Sequence, residues 1–179
     1  GEEWKRRSDP YEVGAKLLVP LLKKRGVQRI DYLIVTHQDA DHIGGLQAVL
    51  EQIPVSTLLF NGTLKENAAA ERLFRTALAK GTRLVAAGDG MRLEPDAVTS
   101  LRFLYPARQP GESLRVENEQ NGVSLVFLLE MYGRRFLLTG DVDGRGEEEL
   151  LERLAEGTVA SPHADADGQA DADVGAAKG

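Results

Sequence analysis

Hydrophobic positions in the first half of the chain follow two different patterns. Apolar residues spaced three or four apart predict amphipathic helices, whereas short continuous apolar runs predict buried strands. Pro20 falls inside the first helical pattern and should kink or split that helix, because proline has no backbone N–H. The predicted helices are 10–24, 45–52 and 67–80, and the predicted strands are 30–36 and 55–60.

The second half of the chain is richer in strands. Short apolar segments are separated there by glycine, proline and aspartate, which mark turns. A polar loop over 106–120 precedes the last two strands, which are joined as a hairpin by Tyr132, Gly133 and Arg134. The predicted strands are 83–86, 91–93, 98–105, 123–131 and 135–139, followed by a helix over 147–154.

This order of elements predicts a layered α/β domain. The chain has 179 residues, which is enough for one domain with its own core. We assign that domain to residues 1–160. Residues 161–179 are mostly Asp, Ala and Gly, and they cannot bury enough apolar surface to order themselves, so we interpret them as a disordered tail.

Composition narrows the choice of function. The 22 basic and 28 acidic residues give a net charge of −6, which disfavours holding nucleic acid by bulk electrostatics. The chain has no cysteine, so any metal must be held by nitrogen and oxygen. No apolar stretch approaches the ~20 residues needed to cross a bilayer. Because the first residue is Gly1 rather than Met, we expect a fragment or a processed product.

The most informative segment follows the first predicted strand directly. Its six positions carry two imidazoles and two carboxylates, and a strand that ends at Thr36 would place them in a loop at a sheet edge. Imidazole suits zinc, iron and manganese, and carboxylates add affinity for harder ions. Any one of these residues alone would be interpreted as a turn or helix-cap residue, but together they predict a hydrolytic metal centre. The candidate ligands are His37, Asp39, Asp41 and His42.

This spacing resembles a known signature. The string His-x-Asp-x-Asp-His, followed by Ile-Gly-Gly, is similar to the His-x-His-x-Asp-His signature of the metallo-β-lactamase fold, with Asp39 in place of the second histidine. That variant resembles the metallo-β-lactamase-like domain of ComEC-type competence proteins, which take up DNA through the cell membrane. Segments 9–24, 121–126 and 136–141 resemble the same family, so the resemblance covers about residues 9 to 155.

The resemblance implies an αββα sandwich with a dinuclear metal centre at one edge. It implies two divalent ions, manganese or zinc, and gives Asp41 a catalytic role in orienting the hydroxide or receiving its proton. Gly140 would permit the close backbone approach that the last ligand needs. The implied assignment is His37 and Asp39 to one ion, Asp41 and His42 to the other, and Asp141 to both.

Some positions depart from the family pattern. Asn121 offers an amide near the place where many hydrolytic members of the fold have a histidine, and Asp143 is better interpreted as a turn or cap residue than as a ligand. Family domains also have strands before the point where this chain starts and a His-His-Gly-Ser element near their end. We therefore expect the sandwich here to lack N-terminal strands and that C-terminal ligand element. His163, in the tail, is not expected to replace it.

The resemblance also implies a function. It indicates hydrolysis of phosphodiester bonds in the DNA strand that is not imported, with single-stranded DNA as the substrate. The parent would be a larger membrane protein with a channel, and this domain would lie on its extracytoplasmic face without a transmembrane segment of its own. Two alternatives stay open: a stand-alone hydrolase of small esters or phosphodiesters, which the acidic charge favours slightly, and a catalytically inactive remnant.

Overall fold

The computed structural model describes residues 13–108 and 111–156. Two β-sheets pack face to face, and helices cover the outer side of each, which gives four layers in the order helix, sheet, sheet, helix. The predicted α/β layering is therefore confirmed. The predicted tail 161–179 with His163, and the first positions of the predicted helix 10–24, lie outside the described residues.

The elements of the described ranges are as follows. The strands are β1 (Ile30–Val35), β2 (Val55–Phe60), β3 (Thr63–Leu64), β4 (Arg83–Ala86), β5 (Arg92–Asp96), β6 (Thr99–Tyr105), β7 (Arg115–Val116), β8 (Val126–Met131) and β9 (Arg134–Leu138). The α-helices are α1 (Val19–Lys24), α2 (Ala40–Ile43), α3 (Leu46–Gln52), α4 (Ala68–Ala79) and α5 (Gly144–Ala155).

The two sheets differ in strand direction. The first is parallel, in the order β1–β2–β4, and the second is antiparallel, in the order β5–β6–β8–β9. Strands β3 and β7 form a short parallel pair. Because β1 and β2 are parallel, their carboxyl ends lie at one edge of the sheet. There the N–H of Leu125, just before β8, donates to the carbonyl oxygen of Thr36 (2.9 Å), which joins the two sheets.

Successive side chains along a strand point to opposite faces of the sheet, so the apolar residues form separate core layers on the two faces. On β2, Leu58 and Phe60 pack in the cluster that includes α4, whereas Leu59 packs in the cluster between the sheets. The rings of Phe103 and Phe127 lie 5.3 Å apart between the sheets. The parallel sheet is thus covered on both faces, which explains the continuous apolar run of β2.

Helix α5 covers the outer face of the antiparallel sheet. Leu150 and Leu154 pack there against a cluster that contains Leu104. Asp143 precedes the helix, and its Oδ1 accepts a hydrogen bond from the N–H of Gly146 (3.0 Å), so the cap predicted at this position is present. The helix therefore begins at Gly144, three residues before the predicted start.

Several other boundaries differ from the sequence predictions. Strand β1 is predicted to be buried, but only Val35 is fully buried because β1 lies at the edge of its sheet. The last long strand begins at Val126 rather than 123, since Asn121–Val123 form a 3₁₀ turn. The loop predicted over 106–120 contains β7.

The first helix is divided near Pro20, as its sequence predicts. A π-helical turn over Gly14–Leu18 precedes α1, and the N–H of Val19 donates to the carbonyl oxygen of Gly14. Pro20 has no N–H to continue the α-helical bonding pattern, so the hydrogen-bond register changes there. None of the described helices combines the length and the apolar character needed to span a bilayer.

Candidate metal centre

Three potential ligands converge at the edge where β1 and β9 end. His37 follows β1, His42 lies in the short helix α2, and Asp141 follows β9. Each offers one nitrogen or carboxylate oxygen, and these three atoms all lie within 4.8 Å of one another. Residues far apart in the sequence are brought together here because the two sheets meet at this edge.

The distances within the group are short. Nε2 of His42 lies 3.2 Å from Oδ2 of Asp141, and Nε2 of His37 lies 4.0 Å from the same oxygen. The two imidazole rings have centroids 3.9 Å apart. Nε2 of His37 is buried and finds no hydrogen-bond partner within residues 13–108 and 111–156. A buried polar atom is normally paired, so this one suits a bound cation.

The other ring nitrogen of His37 is held by hydroxyl groups. Nδ1 lies 3.2 Å from Oγ1 of Thr36 and 3.3 Å from Oγ of Ser124. The same Ser124 oxygen accepts a hydrogen bond from the backbone N–H of Asp141 (3.2 Å). When Nδ1 carries the proton it donates to a hydroxyl, and the Nε2 lone pair is left to face the acidic group.

Burial also keeps His37 in the form that binds metals. Burial lowers the pKa of His37, and the neighbouring imidazole of His42 lowers it further. The carboxylates of Asp141, Asp39 and Asp41 act on this pKa in the opposite direction, but the net change is downward. The imidazole is therefore neutral over a wider pH range than a free histidine.

Gly140 allows the close approach between Asp141 and the opposite loop. Its φ is +54°, in the left-handed region, and a Cβ at this position would lie 2.2 Å from Oγ of Ser124. No larger residue fits without moving Ser124 or the chain. The close approach that the sequence predicts at this glycine is thus present in the structure.

The two remaining acids of the motif are not among the three converging ligands of the described structure. Oδ2 of Asp41 lies 3.9 Å from Nε2 of His42, and its side chain is 79% exposed, so it stands at the outer margin of the group. Oδ1 of Asp39 lies 2.5 Å from Nζ of Lys65. The assignment of individual ligands to two ions, and of a catalytic role to Asp41, stays a prediction.

A network of buried side chains supports the loop below the site. Gln38 sits between two candidate ligands in the motif and is fully buried; its Nε2 donates to the carbonyl oxygen of Thr63 (2.6 Å). Oε1 of Gln120 accepts from the backbone N–H of Gln38 and from Nδ2 of Asn61, both at 3.2 Å. Buried networks of this kind fix loop geometry when all members are paired.

Sequence reasoning missed this network. Asn61 is predicted only as part of a turn, and Gln38 and Gln120 carry no periodic signal. The one available clue is a polar residue between two ligands directly after a buried strand. Because successive side chains of an extended segment point in opposite directions, such a residue turns away from the site that its neighbours face.

The turn before β8 is anchored by a buried tyrosine. The hydroxyl of Tyr105 lies 2.7 Å from the carbonyl oxygen of Gly122 and 3.2 Å from Oε2 of Glu149, which links the turn to α5. Burial, reinforced by the Glu149 carboxylate, raises the pKa of Tyr105 to about 12. Asn121 begins the turn with its side chain exposed.

An αββα sandwich that gathers two imidazoles and a carboxylate at one sheet edge is typical of the metallo-β-lactamase class of folds. A sequence profile described as "Metallo-beta-lactamase superfamily" matches residues 6–176, and the chain belongs to this superfamily.

Two curated relatives are competence proteins. The chain is 29% identical over 152 residues to "ComE operon protein 3" of Bacillus subtilis (strain 168), and 34% identical over 134 residues to "Competence protein ComA" of Neisseria gonorrhoeae. These matches cover 84% and 75% of this chain, but only 18% and 16% of the relatives. The resemblance to ComEC-type proteins is thereby confirmed for most of the chain, which spans less than a fifth of their length.

One solved structure is similar at lower identity. CmlA, a diiron β-hydroxylase from Streptomyces venezuelae, shares 20% sequence identity with a TM-score of 0.41, covering 70% of this chain and 23% of the other.

Proposed function

We propose that this chain is the metal-dependent hydrolase domain of a ComEC-like DNA-uptake protein, and that it cleaves phosphodiester bonds of the DNA strand that is not imported. The observation that carries the proposal is the buried, unpartnered Nε2 of His37, which faces His42 and Asp141. Superfamily membership and the two competence relatives supply the context.

The residues present fit a divalent cation. Two imidazole nitrogens and one carboxylate oxygen are a usual donor set for zinc, manganese or iron, and the absence of cysteine excludes thiolate ligands. A divalent ion held there would lower the pKa of bound water toward ~7 and offset charge on a phosphoryl oxygen. We propose manganese or zinc as the ion that His37, His42 and Asp141 would hold; the second ion that the family pattern implies would also need the carboxylate of Asp39.

The chain's own residues would orient the reaction. His37 stays neutral because burial lowers its pKa, and the hydroxyls beside Nδ1 fix the direction of its ring. Asp141 is held by its backbone bond to Ser124. The exposed carboxylate of Asp41 lies at the open side of the group, where it could receive a proton from an attacking water.

We propose single-stranded DNA as the substrate, because the two competence relatives place the chain in a DNA-uptake context. The net charge of −6 indicates that binding would not depend on a broad basic surface, so contact would centre on the phosphate being cleaved. We propose that the parent protein is membrane-associated, and that this domain lies on the extracytoplasmic face, where DNA arrives before passing through the channel.

The experiment compares wild type with Asp141→Asn on end-labelled single-stranded DNA, with manganese, zinc or a chelator. We expect cleavage with a divalent ion, and its loss in the chelator and in Asp141→Asn. Asp31→Asn is the matched control, because Asp31 is exposed and pairs only with Arg29 among the contacts described. Absence of DNA cleavage with every divalent ion would reject the proposal.

A second candidate is hydrolysis of small phosphodiesters by the same centre. The acidic net charge favours it, since a small substrate needs no basic track. Bis(p-nitrophenyl) phosphate distinguishes the two: turnover of this ester without cleavage of DNA would support the second candidate.

A further inference from the structure

The carboxylate at the second ligand position of the motif is already engaged by a cation of the protein itself. Nζ of Lys65 lies 2.5 Å from Oδ1 of Asp39, and both side chains are partly shielded, with 27% and 30% of their surfaces exposed. Asp39 is not one of the three residues that form the metal-ligand group in the described part of the chain. Within the motif, His37 and His42 thus belong to the metal-ligand group, whereas the charge of Asp39 is balanced by Lys65.

Lys65 is held in place by more than its charge. Its backbone N–H donates to Oε1 of Gln38 (2.8 Å), and Gln38 is fully buried in the network under the loop. Gln38 is also the direct neighbour of Asp39. Gln38 therefore holds the backbone of Lys65 next to the loop that carries Asp39. This contact keeps the two charged side chains within reach of each other.

The carboxylate of Asp39 is not used for helix capping. Asp39 occupies the N-cap position of α2, with φ −76° and ψ 150°, but its side chain accepts no capping hydrogen bond from a backbone N–H in the described ranges. The Lys65 ammonium is the partner it has. A divalent ion that bound Asp39 would have to displace this ammonium or accept its repulsion at close range.

We propose that Lys65 is the counter-ion of Asp39 and limits the centre to one tightly held divalent ion. That ion is bound by His37, His42 and Asp141, and a second ion binds only when the Lys65–Asp39 pair opens. Lys65 is therefore a positioning residue that sets metal stoichiometry. The inference rests on the proposed metal dependence, but it concerns the number of ions and requires no particular substrate.

The test counts ions with the purified chain, using manganese alone and then zinc alone in calorimetric titrations. Wild type should bind one ion tightly. Lys65→Met keeps the aliphatic stem and removes the charge, so the affinity for a second ion should rise about 10- to 100-fold. Lys80→Met is the matched control, because Lys80 is exposed, its Nζ donates to the backbone oxygen of Glu51 (3.3 Å), and it belongs to no part of the motif.

Two further variants separate the ion pair from a general charge effect. Lys65→Arg retains the pair and should keep a single tight ion. Unchanged affinity for the first ion in Lys65→Met would show that the methionine variant is folded. In Lys65→Met combined with Asp39→Asn, the gain in second-ion affinity should disappear. A gain that survives in the double variant would overturn the proposal, as would two equally tight ions in wild type.

The outcomes are distinct from those of the DNA-cleavage experiment. One tight ion in wild type and two in Lys65→Met, without cleavage of DNA, would support this inference and reject the nuclease proposal. DNA cleavage with the same number of bound ions in wild type and Lys65→Met would support the nuclease proposal and reject this inference. A chain that binds no ion in either form overturns both.

Discussion

The hydroxyl of Ser124 lies 3.3 Å from Nδ1 of His37, across the boundary between the two sheets. The same oxygen accepts the backbone N–H of Asp141. One small side chain thus joins two candidate ligands from opposite ends of the sequence and fixes the orientation of the buried imidazole.

Replacing Ser124 should weaken metal binding without abolishing it. In Ser124→Ala the His37 ring loses a partner at Nδ1 and Asp141 loses a backbone tether, so we expect a 10- to 100-fold loss of affinity for zinc or manganese, about the effect of removing a residue that supports a ligand. Competition titration with a chromogenic chelator measures it. Ser100→Ala, on an exposed position of β6, should bind as wild type; equal affinity in Ser124→Ala would contradict this role.

A side chain at position 140 should destabilise the fold. Gly140→Ala combines an unfavourable positive φ with a Cβ placed 2.2 Å from Oγ of Ser124, so we expect a loss of about 2–4 kcal/mol in the free energy of unfolding. Urea denaturation measures it. Gly133→Ala, whose φ is +71° with nothing within 4 Å of the new Cβ, isolates the backbone term and should lose only about 1 kcal/mol. Equal losses would show that the close contact is unimportant.

Removing the amide of Gln120 should disturb the loop that carries the motif. Gln120→Leu leaves the backbone N–H of Gln38 without its acceptor in a buried site, which should cost about 2–4 kcal/mol of unfolding free energy. Gln28→Leu, at an exposed position, should change it by less than about 0.5 kcal/mol. Chemical denaturation of both variants gives the comparison, and similar values would argue against a supporting network.

The raised pKa of Tyr105 should make the free energy of unfolding fall at high pH. Its pKa is raised to about 12 in the folded protein from 10.0 in a free side chain, so the folded state holds the proton more tightly. The extra free energy of unfolding that this raised pKa provides is fully present below pH 10. It is lost as the pH rises toward 12, and the total loss is up to about 2–3 kcal/mol. Unfolding free energies from pH 9 to 11.5 should fall more steeply for wild type than for Tyr105→Phe. Parallel slopes would be the contrary result.

The sequence predicts the helices and strands of this protein well, because each of them depends on a local pattern of apolar and polar residues. The parallel strands β2 and β4 and helix α4 lie within a residue or two of their predicted bounds. The motif loop follows β1 as expected, and Asp141 comes to His37 and His42.

What the sequence does not predict are contacts between distant side chains. Lys65 meets Asp39 because β2 ends beside β1, and Gln120 reaches Gln38 from a loop that shows no regular pattern. Such pairings depend on how the two sheets are stacked, which no local periodicity encodes. The edge position of β1 was missed for the same reason, since its apolar run resembles that of a central strand.

The ligands of the candidate centre have a mechanical consequence. His42 and Asp141 lie roughly a hundred positions apart along the chain, so an ion bound to both would close a long loop and lower the entropy of the unfolded chain by the cost of that closure. The ion would behave as a reversible cross-link between the two halves of the sandwich. Its concentration would then set the temperature at which the halves separate, as well as any chemistry performed between them.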